Sequence, residues 1–258
     1  MTSIQRSLSA TRPSAPNLGG RTAVVTGASS GIGAATARAL AAAGARVAVL
    51  GRRRDRLTAL ANEIGALAVT ADVRDDLATA VDEVRAGIGR PDLVVANAGV
   101  MLAAPFETAV RDEWTTMIDT NLRGLIDTGR AFADDLLAAA AEGHPADLVH
   151  VGSIGGHIVF PQYAVYGATK AAVAHLTRNL RAELGPRGVR VRTVEPGLTT
   201  TDLGHGMQDP GARAFFADFR ERVPSIAATD VAGAIAWSAS LPPEVNVAEL
   251  IVLPTAQG

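Results

Sequence analysis

The feature that most restricts the fold of this chain is an alternation of short apolar runs with longer helical segments, which begins at residue 21. The apolar runs are β-branched and nearly continuous, as expected of parallel strands that are covered on both faces. They lie at 22–26, 46–50, 66–72, 92–97, 147–152, 189–194 and 249–253. Ala-rich helical segments are predicted between them, at about 31–43, 54–64, 75–87, 107–141 and 163–185. This order predicts right-handed βαβ crossovers and a doubly wound parallel α/β sheet of about seven strands with helices on both faces.

The chain reads as a short N-terminal segment followed by one domain. No linker or 20–50-residue repeat divides residues 21–258, so we expect a single domain there. Residues 1–20 are rich in Ser, Pro and Gly, lack acidic residues and show no helical or strand period. We expect a flexible N-terminal arm there, with an organellar transit peptide as the alternative.

Charge and composition narrow the class of partner. The formal net charge is −2 and there is no Cys, so we expect no nucleic-acid surface, no thiolate metal site and a cytoplasmic location. No apolar run is long enough for a signal peptide or a membrane span, so no membrane partner is predicted. The histidines show no metal-ligand spacing, and no metal is expected. His157 is left open between a solvated loop residue and a substrate contact.

A glycine-rich turn directly follows the first predicted strand. Its sequence, TGASSGIG at 26–33, then opens an Ala-rich helix. Glycine permits a tight turn and a close approach of the backbone to a pyrophosphate, and the helix N-terminus supplies free N–H donors. A plain strand-to-helix turn is the alternative, but this context favours a dinucleotide phosphate site. Its predicted residues are Gly27, Ser29, Ser30, Gly31, Ile32 and Gly33.

The end of the second predicted strand indicates which nicotinamide cofactor binds. An NAD site usually carries an acidic residue here to bind the ribose 2′-hydroxyl, whereas guanidinium groups bind a 2′-phosphate. This strand is followed by three arginines at 52–54, and nothing acidic occurs before Asp55. The sequence therefore predicts NADP(H) rather than NAD(H), with Arg52 the best-placed residue and Arg53 second. A solvated basic turn is the alternative.

The lysine content singles out one tyrosine. The chain has 24 basic residues, and Lys170 is its only lysine. Tyr166 lies four residues earlier on a predicted helix, so the two side chains share a face, one turn apart. An ammonium group stabilises a phenolate and lowers its pKa, which makes Tyr166 a candidate acid/base. Tyr163 is the rival, but it lies two turns from the lysine and fits a substrate wall better.

Together these segments resemble the short-chain dehydrogenase/reductase family, a Rossmann-type fold, over about residues 21–258. The TGASSGIG turn is similar to the family's cofactor loop. Further matches to cofactor-binding positions are Asp72 and Val73 at the end of the third strand, Asn97, Ala98 and Gly99 at the end of the fourth, and Pro196, Gly197, Thr199 and Thr201 near the nicotinamide. The family's four catalytic positions match Asn121, Ser153, Tyr166 and Lys170. The ending VNVAELIVLPTAQG resembles the branch of NADP-dependent 3-hydroxy-acid dehydrogenases and clavulanate-type aldehyde reductases.

The resemblance implies hydride transfer between NADP(H) and the carbonyl or alcohol carbon of a small substrate, a ketone or aldehyde in the direction of reduction. Tyr166 would exchange the proton, and Ser153 would donate to the substrate oxygen. Lys170, with Tyr166, would also contact the cofactor, at the nicotinamide ribose. Asn121 would sit in a helix defect that holds a water for a proton relay. The alternative is a catalytically idle NADP-binding regulator or scaffold on the same fold.

Two further expectations concern the substrate and the assembly. Three phenylalanines lie within 215–219, so the stretch from 198 to 222 is expected to form an apolar lid, an amphipathic helix packed on the core, or both. The helical segments at 107–141 and 163–185 carry more apolar surface than one sheet face can cover. A homodimer or homotetramer is therefore expected.

Overall fold

The computed structural model describes residues 15–257. Seven of its strands form one parallel sheet in the order β3-β2-β1-β4-β5-β6-β9, which confirms the predicted doubly wound fold. These strands are β1 (Thr22–Thr26), β2 (Arg46–Gly51), β3 (Leu67–Thr70), β4 (Leu93–Ala96), β5 (Ala146–Val151), β6 (Val189–Pro196) and β9 (Glu249–Val252). Two short strands, β7 (Thr199–Thr200) and β8 (Ile226–Ala227), pair separately.

Helices cover the sheet, and most follow the predicted segments. They are α1 (Gly31–Ala42), α2 (Arg54–Ile64), α3 (Ala78–Ile88), α4 (Arg111–Ile118), α5 (Gly124–Ala131), α6 (Ala133–Ala141), α7 (Ala164–Leu184), α8 (Pro210–Arg222) and α9 (Ala228–Ala239). The segment predicted as one helix over 107–141 is three helices, because a π-helical turn separates α4 from α5 and Phe132 separates α5 from α6. Helix α9, which the sequence analysis did not predict, lies in the crossover from β6 to β9.

The core has one layer on each face of the sheet. In β1, Val25 belongs to the layer that holds Leu40 of α1 and Ile235 of α9. Its neighbour Val24 belongs to the opposite layer, with Leu136 of α6. Successive strand side chains point to opposite faces, so a continuous apolar strand supplies both layers. The packed sheet therefore gives rigid support to the glycine-rich turn and to the loops that follow the other strands.

The predicted N-terminal arm, residues 1–20, falls mostly on residues 1–14, which lie outside the described residues. In the described part, Leu18 is 1% exposed and belongs to the core layer of α1. Its backbone N–H donates to Ala43 O at 2.7 Å. Core packing therefore begins before residue 21. Among residues 15–257, no helix is both long and apolar enough to cross a membrane.

A buried ionic cluster lies where β5 and β6 begin, at the edge of the sheet away from the glycine-rich turn. The carboxylate of Asp147 pairs with the guanidinium groups of Arg21, Arg190 and Arg192. Arg192 also donates to Ser238 O near the C-terminus of α9, where cations complement the helix dipole. Burial lowers the pKa of Arg192 to about 10, although Asp147 opposes this effect. The cluster joins α9 to the sheet through charge as well as apolar contact.

Candidate active site

The glycine-rich turn between β1 and α1 lies where the strand order reverses, between β1 and β4. Gly27 has a φ of +66°, and a Cβ there would lie 2.7 Å from Ala98 Cα, so only glycine fits. Asn97 Nδ2 donates to Thr26 O at 2.9 Å, and its backbone N–H donates to Thr26 Oγ1 at 3.1 Å. These contacts tie the turn to the end of β4 and leave its backbone facing a cleft, as expected of a ligand site at such a switch point.

Three arginines surround the far end of this turn. Arg53 donates to Ser29 Oγ through Nε at 2.9 Å and to Ser30 Oγ through Nη2 at 2.7 Å. Burial lowers the pKa of the Arg53 guanidinium, and the nearby charges of Arg56 and Arg52 lower it further. Mutually repelling cations beside two hydroxyl groups form a site that favours a phosphate.

Arg52, another of these three arginines, lies near Asp72, and both line the cleft. Arg52 Nη1 lies 3.8 Å from Asp72 Oδ2, and its side chain is 60% exposed. A hydrogen bond from Arg74 holds the pKa of Asp72 below its usual value, so this carboxylate stays ionised. The carboxylate is closer to Arg74, at 2.6 Å, than to Arg52. Arg52 is therefore free to bind a second anion from the solvent side.

Tyr166 and Lys170 lie one turn apart on α7, and both are almost completely buried. The lysine Nζ donates to Val151 O, at the end of β5, at 2.9 Å. It lies 5.9 Å from the centroid of the Tyr166 ring. Ser153 Oγ, two residues beyond β5, accepts from Gly155 N at 3.1 Å, and its side chain is near enough to Tyr166 to lower the pKa of the phenol. The α7 pair and the β5 loop thus bring a phenol, an ammonium group and a hydroxyl into one place.

Burial dominates the electrostatics of this group. It raises the pKa of Tyr166, because the phenolate loses solvation, and only the hydrogen bond with Ser153 opposes it. The predicted lowering of the Tyr166 pKa by Lys170 is therefore wrong for the chain alone. Burial also lowers the pKa of Lys170 to about 8, although the negative charge of Glu195 raises it. The apolar surroundings therefore disfavour both charged forms, the ammonium of Lys170 and the phenolate of Tyr166.

Asn121 lies in the π-helical turn between α4 and α5 and is fully buried. Its amide Oδ1 accepts from Val100 N at 2.8 Å, and its Nδ2 donates to Val100 O at 2.9 Å. Nδ2 also reaches Thr169 Oγ1 on α7 at 3.3 Å. The helix defect expected at this position is present, and its amide clamps the segment after β4 to α7. The expected water relay stays a prediction.

The loop after β6 forms the opposite wall of the cleft. Gly197 N donates to Val252 O at 2.8 Å, and Thr199 Oγ1 donates to Gly197 O at 3.0 Å. A Cβ added at Gly31 would lie 3.1 Å from Thr201 Cγ2, so this threonine faces the glycine-rich turn directly. The predicted nicotinamide loop and the predicted phosphate turn therefore lie across one cleft from each other.

This cleft, of about 800 Å³, is lined by most of the predicted site residues. They are Gly27, Ser29, Ser30, Gly31, Ile32, Arg52, Arg53, Asp72, Val73, Asn97, Ala98, Gly99, Ser153, Tyr166, Lys170, Pro196, Gly197, Thr199 and Thr201. Gly33 and Asn121 lie behind its wall instead. A Cβ at Gly33 would come within 2.5 Å of Gly27 O, so this glycine allows the turn to pack on α1. In the described part of the chain, no three His, Asp or Glu side chains cluster closely enough to hold a metal ion.

The far end of the cleft is apolar. Helix α8, begun by the Asp209 side chain that accepts from Ala212 N, contributes Phe215, Phe216 and Phe219. Tyr163 also lines this end, as predicted for a substrate wall. Both interpretations of residues 198–222 therefore apply, because α8 packs on the core cluster around Tyr163 and covers the cleft.

One pair of contacting side chains was missed by the sequence analysis. His157 Nε2 lies 2.5 Å from Glu195 Oε2, and the glutamate side chain is 1% exposed. Glu195 Oε1 has no hydrogen-bond partner among residues 15–257. His157 thus lies in an exposed loop, where it pairs with Glu195, and it does not line the cleft. The available signal was the position of Glu195 at the carboxyl end of a buried strand, directly before Pro196-Gly197.

Comparisons with known proteins agree with this geometry. The family model described as short chain dehydrogenase matches residues 21–210. Sulfoacetaldehyde reductase 2 of Chromohalobacter salexigens is 39% identical over 241 residues, which cover 91% of this chain and 94% of that protein. A probable NADP-dependent dehydrogenase of Haemophilus influenzae is 35% identical over 92% of this chain and 94% of its own length. The closed form of serine dehydrogenase with NADP+ superimposes with a TM-score of 0.82 at 32% identity and covers 92% of this chain and 96% of that one.

Proposed function

Because the chain belongs to the short-chain dehydrogenase family, we propose that it is an NADP(H)-dependent oxidoreductase that interconverts C=O and CH–OH groups of a small substrate. The observation that carries the proposal is the meeting of Ser153, Tyr166 and Lys170 in the cleft that the glycine-rich turn also lines. Residues 21–258 would form the oxidoreductase domain. The reduction of an aldehyde or ketone is the direction that we propose to test first.

The cleft fits a dinucleotide that carries a 2′-phosphate. The glycine-rich turn offers backbone at positions where side chains would collide with Ala98, and Arg52 and Arg53 lie beside Ser29 at the predicted phosphate site. The similar protein from Haemophilus influenzae is described as NADP-dependent, and the similar serine dehydrogenase structure contains NADP+. Both support NADP(H) as the cofactor here. Bound NADPH supplies the hydride.

The protein's part in the reaction is to hold the substrate and move a proton. Tyr166 would donate its hydroxyl proton to the substrate oxygen, and Ser153 would donate a hydrogen bond that holds this oxygen. Lys170, whose Nζ is fixed by Val151 O, would contact the nicotinamide ribose of the bound cofactor. Asn121 would act indirectly, because its amide holds the segment of Val100 against Thr169 of α7.

We also propose that the chain assembles as a homodimer or homotetramer. Large apolar side chains are exposed on the helices that the sequence analysis singled out: Ile118 is 43% exposed and Ile126 is 40% exposed. They lie at the end of α4 and on α5, on either side of the π-helical turn. A second copy that covers this face would remove apolar surface from water. The cytoplasmic location stays a prediction.

The test of the proposed function is the oxidation of NADPH in the presence of a panel of aldehydes and ketones, followed at 340 nm. We expect turnover of at least one member of the panel, and a slower reaction when NADH replaces NADPH. NADPH that binds to the protein but is not consumed with any carbonyl compound would contradict the proposal and favour an idle cofactor-binding protein. Tight binding with turnover that prefers NADH would contradict the choice of cofactor.

A further inference from the structure

The substrate end of the cleft is a continuous aromatic wall. The loop before α7 supplies Phe160 and Tyr163, and α8 supplies Phe215 and Phe219. The ring centroids of Phe160 and Tyr163 lie 6.1 Å apart, those of Phe160 and Phe219 lie 5.7 Å apart, and those of Tyr163 and Phe215 lie 6.3 Å apart. The Tyr163 ring lies 6.5 Å from that of Tyr166. A group attached to a carbonyl at Tyr166 would therefore meet aromatic faces and edges.

Tyr163, next to Tyr166 in this wall, carries no charge. Burial raises its pKa to about 12, and the neighbouring Tyr166 raises it in the same direction. Its hydroxyl has no hydrogen-bond partner within the described residues. Tyr163 therefore adds no charge to the wall, and its hydroxyl offers a bound ligand only a neutral hydrogen-bonding group.

The arginines of the cleft all lie at its cofactor end. The arginines among its lining residues are Arg52, Arg53 and Arg56, which follow β2 or lie in the first turn of α2. Arg56 lies 3.5 Å from Asp202, and Arg53 is held by the serine hydroxyl groups. An anionic substrate group at the aromatic wall would therefore be remote from these guanidinium groups, which the predicted cofactor phosphate uses.

Other cations are also directed elsewhere. Lys170 donates to Val151 O at 2.9 Å. His205 lines the cleft, but its side chain is 67% exposed and its Nδ1 lies 3.9 Å from a carboxylate oxygen of Asp202. On α8, the Arg220 guanidinium stacks over the Phe216 ring at 5.5 Å and does not line the cleft. A carboxylate or sulfonate bound at the aromatic wall would lose water without gaining a cationic partner.

We propose that the physiological substrate is an uncharged aldehyde or ketone with an aryl or bulky alkyl group, which binds against Phe160, Tyr163, Phe215 and Phe219. This inference rests on the function proposed above and narrows its substrate class. It separates the chain from the similar sulfoacetaldehyde reductase, whose name specifies an anionic substrate. The aromatic group of such a substrate would be buried by α8, which closes this end of the cleft.

Two aldehydes that differ in one substituent test the inference. Phenylacetaldehyde carries a phenyl ring where sulfoacetaldehyde carries a sulfonate, so both present the same reacting group. With NADPH in excess, we expect kcat/KM for phenylacetaldehyde to exceed that for sulfoacetaldehyde by at least about tenfold, in the range that apolar pocket contacts give. An equal or reversed preference would overturn the substrate class while leaving the oxidoreductase function intact. If neither aldehyde is reduced while another member of the carbonyl panel is, the substrate class fails and the oxidoreductase function stands; if no member is reduced, both proposals fail.

A pair of Phe→Ala variants separates wall binding from general destabilisation. Phe215→Ala removes a ring from the wall, and we expect KM for phenylacetaldehyde to rise by about tenfold while KM for acetaldehyde changes little. Phe106→Ala is the matched control, because Phe106 is 66% exposed, stacks on Trp114 and does not line the cleft. Equal effects of Phe215→Ala on both aldehydes, or a selective effect of Phe106→Ala, would contradict the role of the wall.

Discussion

The ammonium nitrogen of Lys170 lies 5.9 Å from the centroid of the Tyr166 ring, one helical turn away, and is held there by a hydrogen bond to Val151 O. The lysine therefore has its position fixed by the sheet and not only by its own helix. Because the pKa of Lys170 is lowered to about 8, close to neutral pH, a nearby charge that shifts this pKa changes the protonated fraction of the lysine. The buried carboxylate of Glu195 is the one that raises this pKa.

Glu195→Gln is therefore expected to lower the pKa of Lys170 below about 8. In the free enzyme, kcat/KM for NADPH should decline as the pH rises through this pKa, because the ammonium is lost. The variant should show the same decline at a lower pH. Glu63→Gln is the control, since Glu63 is an exposed partner of Arg38 outside the cleft. An unchanged alkaline limb in Glu195→Gln would show that Glu195 does not act on Lys170.

Arg52→Asp is expected to weaken NADPH binding by at least tenfold, about 1.4 kcal/mol, because a repulsive charge replaces a phosphate partner. NADH binding should change less. Arg54→Asp is a matched control from the same arginine run, because Arg54 begins α2 and does not line the cleft. Fluorescence titration with both cofactors measures the effect. Equal weakening of NADPH and NADH by Arg52→Asp would rule out a specific contact with the 2′-phosphate.

His150 is expected to make the fold acid-sensitive. Its Nδ1 lies 2.8 Å from Thr177 Oγ1, which itself donates to Val173 O, so Nδ1 carries the proton and donates. Burial lowers the His150 pKa from 6.5 to about 3. Between these values the unfolded chain binds the proton and the folded chain does not, so stability falls as the pH drops below about 6.5.

From this linkage we expect His150 to contribute about 1 kcal/mol to the loss of unfolding free energy between pH 7 and pH 5.5. Urea denaturation at both pH values measures that loss. His150→Leu should show a smaller loss by this amount, whatever its stability at pH 7. His144→Leu, in an exposed loop, should behave as the wild type. An undiminished loss in His150→Leu would mean that other groups cause the acid sensitivity.

Light scattering at micromolar concentration is expected to give the mass of a dimer or tetramer. Replacing Ile118 and Ile126 together with Arg would place two charges on the exposed apolar face and should shift the population toward the monomer. Val159→Arg is the control, because Val159 is 93% exposed and belongs to the loop between β5 and α7 instead of to α4 or α5. A wild-type chain that runs as a monomer would contradict the proposed assembly.

Most strands and helices were predictable because the hydrophobic pattern of each segment alone indicates its secondary structure. Helix α2 was predicted at the bounds 54–64 that the structure has, since Gly65 in a left-handed conformation ends it. The third strand was predicted to reach Asp72, but β3 ends at Thr70. Asp72 instead turns to accept from Arg74, two residues away, which takes it out of the strand. Strand propensity alone does not reveal that a side chain will form local hydrogen bonds that compete with the strand.

The parts that were missed depend on contacts between distant residues. A helix defect at Asn121 was expected, but its π-helical form and the division of 107–141 were missed; Asn121 stabilises this turn through Val100, which is 21 residues away. The pair of His157 and Glu195 joins residues 38 apart; the strand-end position of Glu195 marks it as a candidate but does not indicate its partner. The predicted effect of Lys170 on Tyr166 failed for a similar reason, because helical spacing indicates proximity but not burial. Burial raises the pKa of Tyr166, and the only group that opposes it is Ser153.

Tyr166→Phe tests the central claim most directly, because it deletes one hydroxyl group and keeps the ring, its volume and its packing. NADPH binding should survive, and turnover of an accepted aldehyde should fall by roughly 10²–10⁴, the usual contribution of a positioned acid/base. Tyr163→Phe is the matched control and should mainly raise KM, since its ring remains in the substrate wall. Near-normal turnover in Tyr166→Phe together with an inactive Tyr163→Phe would contradict the assignment of Tyr166 as the proton donor.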